Sequence, residues 1–224
     1  MKKMILTALL ACSTIASAAT IPTGIQTNVS NTQVANWGWT ECSRTGANFA
    51  VSMASVLSAC QGNYLAMGVW DASAGAYAVV GMGEWDVASK ILYADHSGDN
   101  NGTTQNWSNG LNWYRTSTYG SWGFTTAKET ALNTADTNLY NGFNNPGSNG
   151  KAETTLAAGL SFHVNNGNLT SGWAFNATGS DFTEMTAQDQ RVFWVANVAA
   201  IPEPTSIALF GLGALALVRR RNRK

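Results

Sequence analysis

Fourteen uncharged, mostly apolar residues, Thr205 to Val218, run directly into Arg219-Arg220-Arg221-Asn222-Arg223-Lys224 and end the chain. Such a run cannot serve as the face of a soluble domain, because it has no polar side to turn to water. As a helix it would span roughly 21 Å at ~1.5 Å per residue, short of the ~30 Å hydrocarbon core. Long basic side chains can snorkel and extend that reach. The cluster Arg219, Arg220, Arg221, Arg223 and Lys224 should then stay cytoplasmic under the positive-inside rule. The foldable part of the chain therefore ends near residue 200 and lies across the membrane from that cluster.

The N-terminus agrees. Lys2-Lys3 is a short positive region, Met4 to Ala11 is apolar, and Ala16-Ser17-Ala18 fits the small-residue cleavage pattern of an export signal. The expected mature start is Ala19. Leu9-Leu10-Ala11-Cys12 also resembles a lipoprotein lipobox, so lipidation at Cys12 is the competing reading. The expected organisation is a signal peptide at 1–18, a β-rich extracellular domain at 19–200 and a sorting segment at 201–224.

Pro202-Glu203-Pro204, the apolar span and the basic end, in that order, resemble the PEP-CTERM sorting signal of Gram-negative bacteria. Ile201 stands where that family usually has Val. The resemblance implies an exosortase as processing partner and a transient inner-membrane anchor. It also implies release to the cell surface or an extracellular matrix rich in polysaccharide. Short motifs in the middle of the chain are similar to an uncharacterised bacterial extracellular β-domain. They are Val56-Leu57-Ser58-Ala59-Cys60-Gln61-Gly62, Trp113-Tyr114, Ser121-Trp122-Gly123-Phe124 and Arg191-Val192-Phe193. That likeness carries no activity with it.

With the ends set aside, the charge balance changes. The whole chain is formally neutral, but 19–200 holds six basic against twelve acidic side chains, a net of about −6. Such a surface repels nucleic acid. If Cys12 leaves with the signal, Cys42 and Cys60 remain, and two cysteines in an exported chain read as a disulfide. No C-x-x-C pair is present to suggest zinc or redox chemistry.

All nine Trp lie within 19–200, among abundant Gly, Asn, Ser and Thr and few charges. That composition favours strands and tight turns around one core. Tyr64 to Asp71 alternates Leu65, Met67 and Val69 with Tyr64, Ala66 and Trp70. Both sets are apolar, so the strand should be covered on both faces. Ala72-Ser73-Ala74-Gly75 should turn it into a second strand over Ala76 to Met82. Asn165-Asn166-Gly167-Asn168 should join Leu160–Val164 to Leu169–Phe175 by a tight turn. Arg191 to Val198 reads as the last strand. The expected fold is a single-domain, mainly β, sandwich or jelly-roll-like structure. Phe49, Met53, Val56, Leu57 and Cys60 follow helical spacing, which predicts a short helix within 47–60, in competition with strand alternation. Residues 127–140 read as a helix or a long loop.

Candidate chemistry is sparse. The loop at 95–102 offers clustered oxygens for Ca²⁺ but fails the EF-hand pattern, with Asn100 in place of Gly and Asn106 in place of Glu. His96 and His163, the only histidines, lack a Gly-x-Ser-x-Gly elbow. Glu84 and Asp86 flank Trp85 and would share one face of a strand, a weak hint of a glycosidase pair. No metal, cofactor or catalytic residue is expected. Trp107, Trp113, Tyr114 and Trp122 crowd one Gly/Asn/Ser-rich region and are the candidate glycan contacts, with core packing as the alternative for most aromatics. The reading is an exported surface or matrix protein, structural or adhesive in a polysaccharide or biofilm layer. A glycan-binding module and a secreted hydrolase are the other readings.

Overall fold

Tyr64–Asp71 forms a strand with the alternation expected of it: Leu65, Met67 and Val69 enter one apolar cluster while Ala66 enters another. The computed structural model describes residues 19–92, 103–104, 106–117, 119–126, 130–131, 157–178 and 182–197. All of them lie in one unit, Ala19–Val198. The predicted features at 1–18, 95–102 and 201–224 lie outside the described residues, as does 127–140 except for Thr130–Ala131, which is a short strand where a helix or loop was expected. Among the described residues, no helix is long and apolar enough to cross a membrane.

The elements in chain order are β1 (Gln26–Val29), α1 (Asn31–Asn36), β2 (Thr40–Gly46), β3 (Val51–Ser52), α2 (Met53–Ala59), β4 (Tyr64–Asp71) and β5 (Ala76–Glu84). Then come α3 (Trp85–Ala88), β6 (Thr103–Thr104), β7 (Trp107–Ser108), β8 (Leu111–Arg115), β9 (Tyr119–Thr125) and β10 (Thr130–Ala131). The last are β11 (Gly159–Asn165), β12 (Asn168–Asn176), β13 (Phe182–Glu184) and β14 (Gln190–Ala196). The fold is mainly β, as expected. A five-stranded first sheet runs β1-β5-β4-β14-β2, and a seven-stranded second sheet runs β13-β12-β11-β9-β8-β7 with β3 also on β12. Strands β6 and β10 make a separate short ladder.

The inner faces of the two main sheets meet in one core. Aromatic rings of the second sheet fill room left by glycines of the first. A Cβ at Gly81 would come within 2.6 Å of Phe124, and one at Gly83 within 2.6 Å of Trp113. Trp122 stacks at 5.2 Å from Phe193 of β14. The opposite face of the first sheet carries a second cluster, where Val34 of α1 and Trp39 pack with Val29, Ala66, Tyr77, Val80 and Trp194 of the sheet.

Local signals explain the turns. Asn166 and Gly167 both have positive φ, 47° and 76°, the conformation a two-residue hairpin needs. The Asp71 carboxylate accepts from Ser73 N at 2.8 Å, Ser73 Oγ at 2.6 Å and Ala74 N at 3.0 Å, which closes the β4–β5 turn. Those bonds, with the Ser73 hydroxyl first, hold the carboxyl below its ordinary range.

One expectation is corrected in extent. The helix predicted within 47–60 is only Met53–Ala59. Ser52 caps it by accepting from Ser55 N, and Val51–Ser52 is already a strand paired with Leu169 and Asn168. Phe49 lies in the preceding loop, 72% exposed, not on the helix.

Cys42 and Cys60 form the disulfide, with 5.2 Å between Cα atoms. Ser43 pairs with Phe193 and Glu41 with Trp194, so Cys42 is the extra residue of a bulge in β2. The bulge turns it toward the end of α2. The bridge thus pins an outer strand of the first sheet to the helix beside it.

Candidate functional site

Three of the four expected glycan contacts are core residues. Trp113, Tyr114 and Trp122 are 0%, 1% and 0% exposed. All five residues of β8, and Ser121, Trp122, Phe124 and Thr125 of β9, are buried, so side chains on both faces of these strands are covered. Their polar tips are satisfied internally. Trp122 Nε1 donates to Ala88 O at 3.0 Å, Trp113 Nε1 to Ser108 O at 3.3 Å, and Tyr114 OH to Leu160 O at 2.8 Å. Only Trp107, on the short outer strand β7, is exposed, at 43%.

The other candidates are also separated. Glu84 ends β5, but Asp86 lies in α3, so they are not alternate positions of one strand. His163 is half-buried in β11. Among the described residues, no group of three His, Cys, Asp or Glu side chains is placed to hold a metal ion. The sorting motif Pro202, Glu203, Pro204 and the basic cluster lie outside the described residues.

A different surface is built on the first sheet. Register aligns Gly46 of β2, Gln190 of β14, Trp70 of β4 and Tyr77 of β5 in one row across the outer face. Arg44, two residues before Gly46, shares that face. Its Nε donates to Glu41 Oε1 at 2.8 Å and its Nη2 to Glu41 Oε2 at 2.6 Å, a forked pair. Arg44 Nη1 donates to Gln190 Oε1 at 2.7 Å, and Nη2 also reaches Tyr77 OH at 2.7 Å. Tyr77 OH in turn donates to Asn31 Oδ1 at 2.7 Å. The Glu41 bonds raise the Arg44 guanidinium above its ordinary value, so it is charged at any working pH. The guanidinium sits 5.9 Å from the Trp70 ring centre and 5.8 Å from that of Tyr77. Trp70 meets Tyr77 edge-on at 5.0 Å.

Phe49 completes this row. Its ring lies over Gly46, where a Cβ would come within 2.8 Å of it. Glycine at 46, paired with Gln190, leaves room for that ring. The surface then reads Phe49, Gln190 with Arg44, Trp70, from one side of the sheet toward the other.

Two buried charges fix the loops around it. Asp189 Oδ2 accepts from Thr186 N at 2.7 Å and Thr186 Oγ1 at 2.9 Å, and Oδ1 from Ala72 N at 3.4 Å. Its carbonyl accepts from Ala47 N at 2.8 Å. One residue therefore ties the 46–51 loop, the 71–75 turn and the 186–189 turn together. Arg191, wholly buried, donates from Nη2 to Gly46 O at 3.1 Å and to Phe49 O. Its Nε and Nη1 have no partner, and neither has the Oγ1 of Thr45 opposite it. Burial pushes the guanidinium down to about 10. It is thus still charged at neutral pH, in surroundings that penalise the charge. Such a local cost belongs where the chain must hold one loop conformation.

The arrangement positions contacts rather than reacting atoms. It offers two partly or largely exposed rings, an amide, a guanidinium and a carboxylate on a rigid sheet. Composition alone could not reveal it, because Phe49, Trp70 and Gln190 are far apart in sequence. The one available signal was Arg191, a charge inside an otherwise apolar strand.

Residues 200–224 match the model of the PEP-CTERM protein-sorting motif. The chain therefore carries a PEP-CTERM protein-sorting motif at residues 200–224. The signal implies export, transient anchoring in the membrane and an exosortase as processing partner. The chain matches no curated protein and no solved structure.

Proposed function

We propose that this protein is a structural or adhesive component of a surface or extracellular polysaccharide layer, delivered there by exosortase processing of an inner-membrane precursor. The observation that carries the reading is the sorting motif at 200–224, joined to a mainly β domain closed by a disulfide. The disulfide suits an oxidising compartment. The last strand ends at Ala196, so only a few residues separate the sheet from the motif. A glycan-binding role is favoured as the second reading by the Phe49–Gln190–Trp70 row. No observation favours a hydrolase. Replacing Pro202, Glu203 and Pro204 by Ala tests the proposal by cell fractionation. The variant should remain in the inner membrane at precursor mass. Arrival at the surface at the mature mass would overturn it.

A further inference from the structure

We infer that Phe49 and Trp70 are two stacking platforms of one site for a neutral polysaccharide chain, with Gln190 and Arg44 as the hydrogen-bonding groups between them. The inference rests on the glycan-binding reading and names its surface and ligand class.

Phe49 is the starting point. A 72% exposed phenylalanine gains little from burial. Yet its loop is held by the Arg191 guanidinium through the carbonyls of Gly46 and Phe49, and through Asp189 by the Ala47 N–H. A buried charge with two unpartnered nitrogens is a costly way to fix an exposed ring. It makes physical sense where the ring must be in place before a ligand arrives, because preorganisation lowers the cost of binding.

The geometry then indicates the ligand shape. Gly46 beneath Phe49, Gln190 and Trp70 sit on the neighbouring strands β2, β14 and β4. Phe49 and Trp70 are therefore about two strand spacings apart, ~10 Å. That separation suits an extended chain laid across the strands, with two of its units over rings. A pyranose has an apolar face of C–H groups and an equator of hydroxyls. The face stacks on an aromatic ring; the hydroxyls pair with planar amide and guanidinium groups. Gln190 and Arg44 stand in the gap between the rings.

Charge decides between neutral and acidic chains. The Arg44 cation is already matched by the forked Glu41 carboxylate, 2.6 Å away at its closest. The 19–200 segment carries six basic and twelve acidic side chains, a net of about −6. A polyuronate or a nucleic acid would meet net repulsion, whereas a neutral polysaccharide would not.

The test uses the mature protein recovered from the surface fraction. Affinity electrophoresis through gels holding a soluble neutral β-glucan, xylan or galactomannan is compared with gels holding polygalacturonate. The wild type should be retarded by at least one neutral polymer and not by the acidic one. Phe49→Ala and Trp70→Leu should each weaken that retardation roughly tenfold, while Trp107→Ala, on the other sheet, leaves it unchanged. The melting temperature of each variant is recorded, and Phe49→Ala, at an exposed position, should match the wild type. Retention by polygalacturonate alone would overturn the neutral assignment. Loss of binding in Trp107→Ala with none in Phe49→Ala would overturn the placement but leave the glycan reading standing. No retention by any polymer, in a protein still sorted to the surface, would overturn both the site and the glycan reading and leave the sorting account intact.

Discussion

Two groups of aromatic rings in this domain are used in opposite ways. Trp113, Trp122 and Phe124 are wholly buried; Trp113 and Phe124 fill room that Gly83 and Gly81 leave on β5, and Trp122 packs on Phe193. Trp37, Trp39, Trp194, Tyr77 and Trp70 form a chain across the outer face of the first sheet, with successive ring centres 4.8, 6.4, 4.8 and 5.0 Å apart. Its middle members Trp39, Trp194 and Tyr77 are buried, and its ends Trp37 and Trp70 are half-buried, with Arg44 beside Trp70. The inner group finishes the fold. The outer group reaches the surface at its ends, and at Trp70 and Tyr77 the rings add a guanidinium to their ring partners. What separates the two is access to water: the inner rings are wholly buried between the sheets, whereas the outer group includes the half-buried Trp70 beside Arg44.

The sharpest contrast should appear in stability. Trp122→Ala should cost about 3–5 kcal/mol, the usual range for removing a buried aromatic. Phe49→Ala should stay within about 0.5 kcal/mol of wild type, as for an exposed position. Urea unfolding midpoints decide, and similar losses in the two variants would erase the distinction.

The disulfide should matter next most. Its half-cystines are 18 residues apart, and replacing both by Ser should cost about 3 kcal/mol on the loop-entropy model. Because Cys42 lies in β2, which carries Arg44, the loss should show first on the outer face. Hydrogen exchange should quicken in residues 40–46 before it does in β9. Equal acceleration in both would mean that the bridge serves the core as a whole.

A smaller effect is expected at Gly81→Ala. The new Cβ would sit 2.6 Å from Phe124 and 2.8 Å from Leu111, forcing a ring to move. Overpacking of this kind costs about 1–3 kcal/mol. A neutral result in thermal melts would show that the inner rings are looser than their contacts suggest.

The weakest effect is one of pH. Burial holds the Tyr77 phenol above its ordinary 10.0, opposed by the Arg44 hydrogen bond. The folded state therefore favours the protonated phenol. That contribution is present below pH 10 and is lost as pH rises through the higher folded value. Tyr77→Phe should flatten the alkaline fall of the melting temperature between wild-type curves at pH 9 and pH 12. An unchanged slope would show that Tyr77 is not the group responsible.

Much of the fold was readable from pattern. The β4 strand Tyr64–Asp71, the Asn166-Gly167 turn and the Cys42–Cys60 pair all follow from short-range rules of alternation, turn chemistry and cysteine count. Asn109-Gly110 carries the same turn signal, with φ of 53° and 79°, but β7 before it is only two residues long and gives no alternation to read. The surface was much less legible. Trp113, Tyr114 and Trp122 stand among Gly, Asn and Ser, which suggests exposure, and yet all three are buried, Trp113 against Gly83 and Trp122 against Phe193 of the facing sheet. Phe49 fits a helical spacing that its loop does not adopt. Its exposure depends on Gly46 beneath it and Arg191 behind it, and Arg191 lies 142 residues away. Packing of distant strands and loops over each face decides which aromatic rings reach water, and local pattern does not contain it.

The most direct test of this division measures one variant in two ways. Phe49→Ala is assayed for its unfolding midpoint and, in the same preparation, for retardation by the neutral polysaccharide that best holds the wild type. The account predicts an unchanged midpoint with roughly tenfold weaker binding, which is about 1.4 kcal/mol of lost contact. A lowered midpoint with unchanged binding would contradict it, and would place Phe49 with the rings that hold the fold together.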